Sequence, residues 1–421
     1  MKILILIEIT SLGGHVISAF TTGKELKKRG HEVHFAAGKG PLANEIKKIF
    51  PFHPLTYYHF HGYRETYFTW KSIITLKQLI RVVDKKQFDH IHAFDARSYI
   101  IASILSIFKK IPVTCTLCGS LAPNYNIPKS EKIIVFSKEQ RDRLVNVFDW
   151  KEKNIEVIST RLDMEQFSKV NKEGVDKLYH KYNINLSDKN IMMISNFLAP
   201  KVESIKCVLE ASGTFLKKHK EVRMIFIGGR GEFFNKAKEI GRKINQQCGR
   251  EAIIFTGKVI NAYRLLISSH IVLGVGRSAF EGIAYRKPTL IVGKKGYAGT
   301  VNRENIDQIS YYNFSGRNNK TNAPSELLVN EITKLIEDKA YYESVMDFGV
   351  DFLIRKIDIK SGIANIEKVY EINKSSLQNY KRMFKTLDII KILIPIFVDN
   401  YYNHFKSMMI PRLRIVSDKF T

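Results

Sequence analysis

Short apolar runs alternate with amphipathic stretches of helical length from the start of this chain, and near residue 190 the pattern begins again. The runs at 2–9, 32–37, 90–93, 113–117, 133–136 and 155–158 read as strands, with helices predicted over 16–29, 42–49, 69–85, 96–108 and 138–147. A second series follows, with strands at 191–195, 223–227, 252–256 and 289–292 and helices at 204–218, 233–247 and 262–269. Such alternation demands parallel pairing, because each strand must return by a crossover to the same end of the sheet, and the crossover helices then cover both faces. A length of 421 residues also exceeds what one core usually holds. The sequence therefore predicts an α/β chain of two doubly wound domains facing a central cleft. The expected divisions are 1–163, a polar lysine-rich connection at 164–188, 189–374, and a basic helical extension at 375–421.

Charge is the second constraint. Lys and Arg number 67 against 41 Asp and Glu, a formal +26, which requires an anionic partner: nucleotide phosphates, an acidic membrane surface or nucleic acid. The lysines are scattered and form no recognition module, which argues against nucleic acid. No apolar run is long enough to span a bilayer, and Glu8 interrupts the apolar start where a secretory signal needs an unbroken core. The four cysteines, at 115, 118, 207 and 248, are irregularly spaced and point to a reducing cytoplasm. Cys115 and Cys118 form a CxxC, but it ends a strand and has no second pair, so neither zinc nor redox chemistry is expected. His90, His92 and Asp95, and a loop cluster of His53, His59 and His61, lack a further ligand pattern; no metal is expected.

The stretch from Gly274, GVGRSAFEGIAYRKPTLIVG, carries the most chemistry. A glycine turn opens a helix with Ser278 in its first turn, and helix N-termini present unpaired N–H groups and partial positive charge that suit a diphosphate. Glu281, three residues on, is spaced to reach a ribose hydroxyl pair. Lys201 follows the first strand of the second series and would bring an ammonium to the same sheet edge. In residues 11–15, SLGGH, Gly13 and Gly14 let backbone approach a ligand at the carboxyl edge of the first sheet. The motif is not GxGxxG and no acid follows about 20 residues on, which disfavours a nicotinamide cofactor. Gly228, Gly229, Arg230 and Gly231 make another strand-edge glycine turn, while 293–300 has phosphate-loop character without the GK[ST] order of an NTPase. Together these residues outline a nucleotide-sugar site with the nucleoside-diphosphate sugar as substrate and no cofactor.

Two segments are amphipathic and basic. In 69–86, Trp70, Ile73, Ile74, Leu79, Ile80 and Val83 share a side rimmed by Lys71, Lys77, Arg81, Lys85 and Lys86. Most such helices cover a sheet, and the rim also suits an anionic membrane. In the extension, apolar residues 387–398 sit among Lys381, Arg382, Lys385, Lys406, Arg412 and Arg414. That segment suits either an interfacial helix on anionic lipid or a helix pair packed on the first domain.

The chain resembles the GT-B glycosyltransferases, most closely the retaining family 4, over nearly its whole length to about residue 374. The resemblance rests on SLGGHVISAFTTGKELKKRGHEV, DHIHAFDARS, IPVTCTLCGS, IIVFSKEQRDRL, NIEVISTRLDMEQF, IIFTGKV, KPTLIVG and PSELLVNEITKLIED. It implies two Rossmann-like domains, with Gly13 and Gly14 lining the donor and His15 near the cleft. It further implies Lys201 and Gly276–Arg277–Ser278 at the diphosphate, Glu281 at the ribose, Gly228 at the donor edge and the backbone around Gly257 at the base. His15, Lys201 and Arg277 are the implied catalytic residues. Three positions depart from the family pattern: Asn196 where an arginine is usual, Leu273 where a second glutamate is common, and Cys118 where a histidine usually ends a turn.

The implied activity is transfer of a sugar from a UDP- or GDP-sugar to a lipid-linked or surface-polysaccharide acceptor, on the inner face of the cytoplasmic membrane. The alternatives are a nucleotide-sugar 2-epimerase in the same fold, or a degenerate transferase acting as a scaffold.

Overall fold

The computed structural model describes residues 1–57, 72–119, 127–159, 161–168, 172–229, 231–259, 261–294, 296–319 and 324–378. Trp70, Lys71, His59, His61, Arg230 and the basic extension beyond 378 lie outside them. The described residues form two compact units, one of those in 1–136, 140–161 and 362–378, the other of those in 137–139 and 162–361.

The first unit holds strands β1 (Lys2–Ile9), β2 (Glu32–Gly38), β3 (Phe52–Pro54), β4 (His90–Ala93), β5 (Val113–Leu117), β6 (Ile133–Val135) and β7 (Ile155–Val157). Its seven-stranded sheet runs β3-β2-β1-β4-β5-β6-β7, and every pair is parallel. The second unit holds β8 (Lys189–Ile194), β9 (Val222–Ile227), β10 (Ile253–Gly257), β11 (Ser269–Gly274), β12 (Thr289–Gly293) and β13 (Gly296–Thr300). Its order is β10-β9-β8-β11-β12-β13, parallel except for the β12–β13 pair. Both units are therefore Rossmann-like. Ile3 through Ile7 in β1 are wholly buried, as a strand covered by helices on both faces requires.

Three features differ from the sequence reading. In 293–300, expected as a second glycine loop, Gly296–Thr300 is instead strand β13, antiparallel to β12, with Gly293 facing Gly296. Residues 164–188, expected as a polar connection, include a helix, Lys172–Lys181, whose Val175 and Tyr179 are buried in the core of the second unit. The helix Ile359–Gln378 was assigned to the second domain as far as 374, yet from Gly362 onward it belongs to the first unit.

That last assignment has a polar cause. Tyr370 and Asn373 are fully buried on the first sheet. The Tyr370 hydroxyl and His92 Nδ1 are 2.7 Å apart, and His92 Nε2 lies 2.7 Å from Thr116 Oγ1. Asn373 Nδ2 donates to Thr114 Oγ1 (2.8 Å) and to the Lys132 carbonyl (3.0 Å), while its Oδ1 accepts from the Lys132 N–H (2.9 Å). His90 Nε2 meets Thr114 Oγ1 at 2.9 Å. A sheet face carrying two histidines and two threonines cannot pack against an apolar helix without stranding its polar atoms. Periodicity alone does not reveal this pairing, because the partners are some 240–280 residues apart.

Burial lowers the pKa of His90 to about 3 and holds His92 well below its ordinary value. Both are therefore neutral in the fold, while an unfolded histidine protonates near 6.5. Below that pH the unfolded chain binds protons that the folded unit refuses, so stability falls as pH drops from about 6.5 toward 3. Denaturant titrations of the first unit's unfolding should show a loss of up to about 1.4 kcal/mol per pH unit for each histidine. A flat profile between pH 7 and pH 5, above the range of ordinary carboxylates, contradicts this account.

Candidate active site

In the second sheet β8 and β11 are neighbours, but the chain leaves β8 for β9 on one side and β11 for β12 on the other. Crossovers that diverge in this way open a crevice at the carboxyl ends of the two strands, the usual ligand position in such sheets. The segments after β8 and β11 carry Lys201 and the Gly276 turn, so the topology makes neighbours of two groups some 75 residues apart.

The Gly276 turn is built for close approach. Gly276 has φ 52° and ψ −120°, a conformation closed to side chains by steric clash. Nothing lies within 4 Å of where its Cβ would stand, so the backbone faces open space. The helix Arg277–Ala284 starts there, and its opening N–H groups have no intrahelical acceptors. Ser278 Oγ accepts from the Val275 N–H (3.1 Å) and donates to the Val275 carbonyl (3.0 Å), which locks the turn.

Arg277 and Glu281 receive separate roles from the sequence, at the diphosphate and at the ribose. The structure joins them: Arg277 Nε donates to Glu281 Oε1 at 2.8 Å. The Glu281 carboxyl is buried, which raises its pKa against the downward pull of Arg277. A ligand at this turn meets them as a pair.

Lys201 ends a short 3-10 turn, Ala199–Lys201, and is half-buried. Among the described residues its ammonium has no ion-pair partner. Burial and the positive charge of Arg317 both lower its pKa. Arg317 has no signal in the sequence, since it lies in a polar loop outside every motif quoted above. Its loop is fixed to the glycine turn by the Gly276 N–H, which donates to the Phe314 carbonyl at 2.8 Å. Arg317 is bound by Glu139 through Nε, at 2.8 and 3.1 Å from the two carboxylate oxygens, and through Nη2.

At the same edge Gly228 has φ 134°, and a Cβ there would fall 1.9 Å from the Ser195 carbonyl oxygen. Its N–H donates to the Gly257 carbonyl at 3.0 Å, and Gly257 leaves open space where a side chain would stand. The departures from the family pattern are also placed. Leu273 is wholly buried near the carboxyl end of β11 and brings no carboxylate to it. Asn196 Oδ1 accepts from the Leu198 N–H at 3.4 Å and brings no charge.

In the first unit, Gly13 caps the helix Gly14–Lys28 and the His15 ring folds over it, 2.8 Å from where a Gly13 Cβ would stand. Burial lowers the pKa of His15, with Asp95 pulling the other way. Asp95 is committed to structure: it accepts from the Glu8 N–H (2.9 Å), the Ser98 N–H (2.7 Å) and the Ser98 hydroxyl (2.8 Å). Burial pushes the thiols of Cys115 and Cys118 far up, which makes them poor nucleophiles and poor metal ligands. Among the described residues no three His, Cys, Asp or Glu side chains come together to hold a metal.

Gly276→Ala should lower unfolding stability by about 1–3 kcal/mol, the strain of a side chain in that conformation, read as a shift of the denaturant midpoint. Lys201→Met should leave stability equal or higher, because it removes a buried, repelled charge. A marked loss with Lys201→Met shows that the ammonium serves the fold instead.

Known proteins resemble this chain in sequence and in fold. The family profile described as Glycosyltransferase Family 4 matches residues 12–166. N-acetyl-alpha-D-glucosaminyl L-malate synthase of Bacillus anthracis is 23% identical over 280 residues, 62% of this chain and 70% of that protein. A glycosyltransferase from Rickettsia africae superimposes with a TM-score of 0.66 at 19% identity, covering 88% of this chain and 98% of its own. Anabaena HepE, solved in complex with UDP and glucose, gives a TM-score of 0.66 at 16% identity, covering 88% and 99%.

Proposed function

We propose that the chain is a GT-B glycosyltransferase of the family 4 type, as the family profile over 12–166, the Bacillus relative and the shared fold support, and that it moves a sugar from a UDP- or GDP-sugar to a lipid-linked or surface-polysaccharide acceptor. The family profile and the name of the curated relative favour a transferase over an epimerase. The observation that carries the donor site is Lys201: an ammonium without an anion, beside Arg317, at the switch point next to an open glycine turn. A nucleoside diphosphate supplies the missing negative charge.

In this reading the donor diphosphate lies across the Gly276 turn, with Lys201 and the N–H groups of the helix Arg277–Ala284 around it. As the bond to the sugar breaks, negative charge accumulates on the departing diphosphate. Preorganised cations and dipoles stabilise that charge more than they stabilise the intact donor, which is what accelerates the step. Lys201 and the helix dipole provide part of that compensation. The Arg277–Glu281 pair holds the ribose, and the backbone at Gly257 and Gly228 holds the base edge. His15 and the Gly13–Gly14 turn of the first unit serve the sugar or the acceptor.

The membrane part of the proposal rests on charge. No described helix is long and apolar enough to cross a membrane. The helix Ser72–Lys86 buries Thr75, Leu79 and Val83 and exposes Lys77, Arg81, Lys85 and Lys86, together with Ile73 and Ile74. A basic face with two protruding apolar residues suits the anionic inner leaflet. A small carboxylate acceptor is the second reading, favoured by the Bacillus relative, whose name specifies L-malate.

A thermal-shift panel of UDP- and GDP-sugars tests the donor. A ligand present at about 100 times its Kd should add about 2.7 kcal/mol of stability, and Glu281→Ala should abolish most of the best shift; an undiminished shift removes Glu281 from the ribose. For the membrane, the chain should sediment with phosphatidylserine vesicles at low salt and be released as salt rises. If it stays in the supernatant at low salt, the small-acceptor reading takes precedence.

A further inference from the structure

We propose that Arg317 is a second diphosphate-binding cation of the donor site, held in place by Glu139. The proposal rests on the donor reading of the Gly276 turn and adds to it a residue that no motif marks.

A nucleoside diphosphate carries more negative charge than one ammonium offsets, so the site needs a further cation beside Lys201. The obvious candidates do not supply it. Asn196 is neutral, and Arg277 is engaged with Glu281 at 2.8 Å. Arg317 is at hand for three independent reasons. Its loop hydrogen-bonds the turn directly, with the Gly276 N–H donating to the Phe314 carbonyl at 2.8 Å three residues before the arginine. Asn313 and Phe314 both take the left-handed backbone conformation, φ 54°, so the loop is fixed in an unusual path that returns toward the sheet edge. The Arg317 side chain is partly open to solvent, 24% exposed, and close enough to Lys201 to repel it.

Glu139 explains how the guanidinium is aimed. Residues 137–139 group with the second unit, and Glu139 grips the Nε and Nη2 edge of Arg317, with Nη2 also donating to the Tyr312 carbonyl at 3.3 Å. A guanidinium has five N–H donors in a rigid plane. With that edge occupied, the Nη1 hydrogens are the ones left to donate, and among the described residues nothing accepts them. A carboxylate that fixes one edge of an arginine presents the other edge in a set orientation, which is the arrangement suited to phosphate oxygens.

Calorimetric titration of the full chain with UDP, GDP, UMP and GMP tests the assignment. For whichever diphosphate the parent binds, Arg317→Ala should weaken affinity about 10–100-fold, the range for losing a charged hydrogen bond, and weaken the matching monophosphate less than about 3-fold. Arg317→Lys keeps the charge without the planar edge and should recover part of the diphosphate loss. If Arg317→Ala folds and binds the diphosphate as the parent does, Arg317 is not part of the site, while the donor reading stands. Equal losses for mono- and diphosphate, with a lowered Tm, reduce the Arg317–Glu139 pair to a structural ion pair. If the parent binds none of the four nucleotides, the donor reading itself fails.

Discussion

Neighbouring parallel strands whose crossovers depart on opposite sides must part at their carboxyl ends, and the candidate site of this chain depends on that one topological fact. Between β8 and β11 the gap receives a half-buried ammonium from one strand's loop and an open helix N-terminus from the other. Neither is placed by a local rule. Lys201 sits at the end of one short turn and Gly276 at the start of another, and only the strand order β9-β8-β11-β12 makes them neighbours. Gly276, with its backbone conformation closed to side chains, and Gly228, pressed against the Ser195 carbonyl, keep the surrounding edge low enough for a ligand to touch main chain.

The electrostatics at that edge are arranged against stability. Lys201 is repelled by Arg317 and desolvated, and Glu281 is a buried carboxyl whose ionised form depends on a single arginine. A fold selected for stability alone would have no use for either charge, since buried charges rarely repay their desolvation. An anionic ligand reverses the balance by neutralising the cations where solvent cannot. The positive potential is therefore better understood as half of an interaction than as a defect of packing. In the first unit, by contrast, Asp95 is engaged by three donors from the protein itself.

Much of this was legible in the sequence, and the remainder was hidden for physical reasons. Continuous apolar runs such as KILILIEI announce parallel strands covered on both faces, so the two Rossmann-like units followed from pattern and length. The glycine turn at 274–278 was visible because only glycine tolerates its geometry. The β12–β13 pairing was not, because Gly293 and Gly296 read equally well as loop residues. The mutual grip of Arg277 and Glu281 escaped notice because their i, i+4 spacing on a helix suits both a surface pair and two separate ligand contacts. Arg317 left no trace at all: its importance depends on a backbone hydrogen bond from Gly276 to Phe314, and hydrogen bonds across distant segments have no sequence period.

The helix Ile359–Gln378 shows the same limit on a larger scale and has a consequence for how the chain folds. Until residues 362–378 are available, the face of the first sheet that carries His90, His92, Thr114 and Thr116 lacks Tyr370 and Asn373 and the hydrogen bonds they make to His92, Thr114 and Lys132. Domains synthesised first usually fold first. Here the first unit can build its apolar core from β1, β4 and β5 early, but it cannot close its polar face until nearly the whole described chain has emerged. A late apolar helix would seal that face at the cost of several stranded hydrogen-bonding groups. A helix bearing a tyrosine and an asparagine at i and i+3 fits one place only, because the two side chains must meet His92 and Lys132 at once. Polar matching of this kind contributes little net energy but fixes register, so the late segment docks in a single position on a sheet assembled long before it.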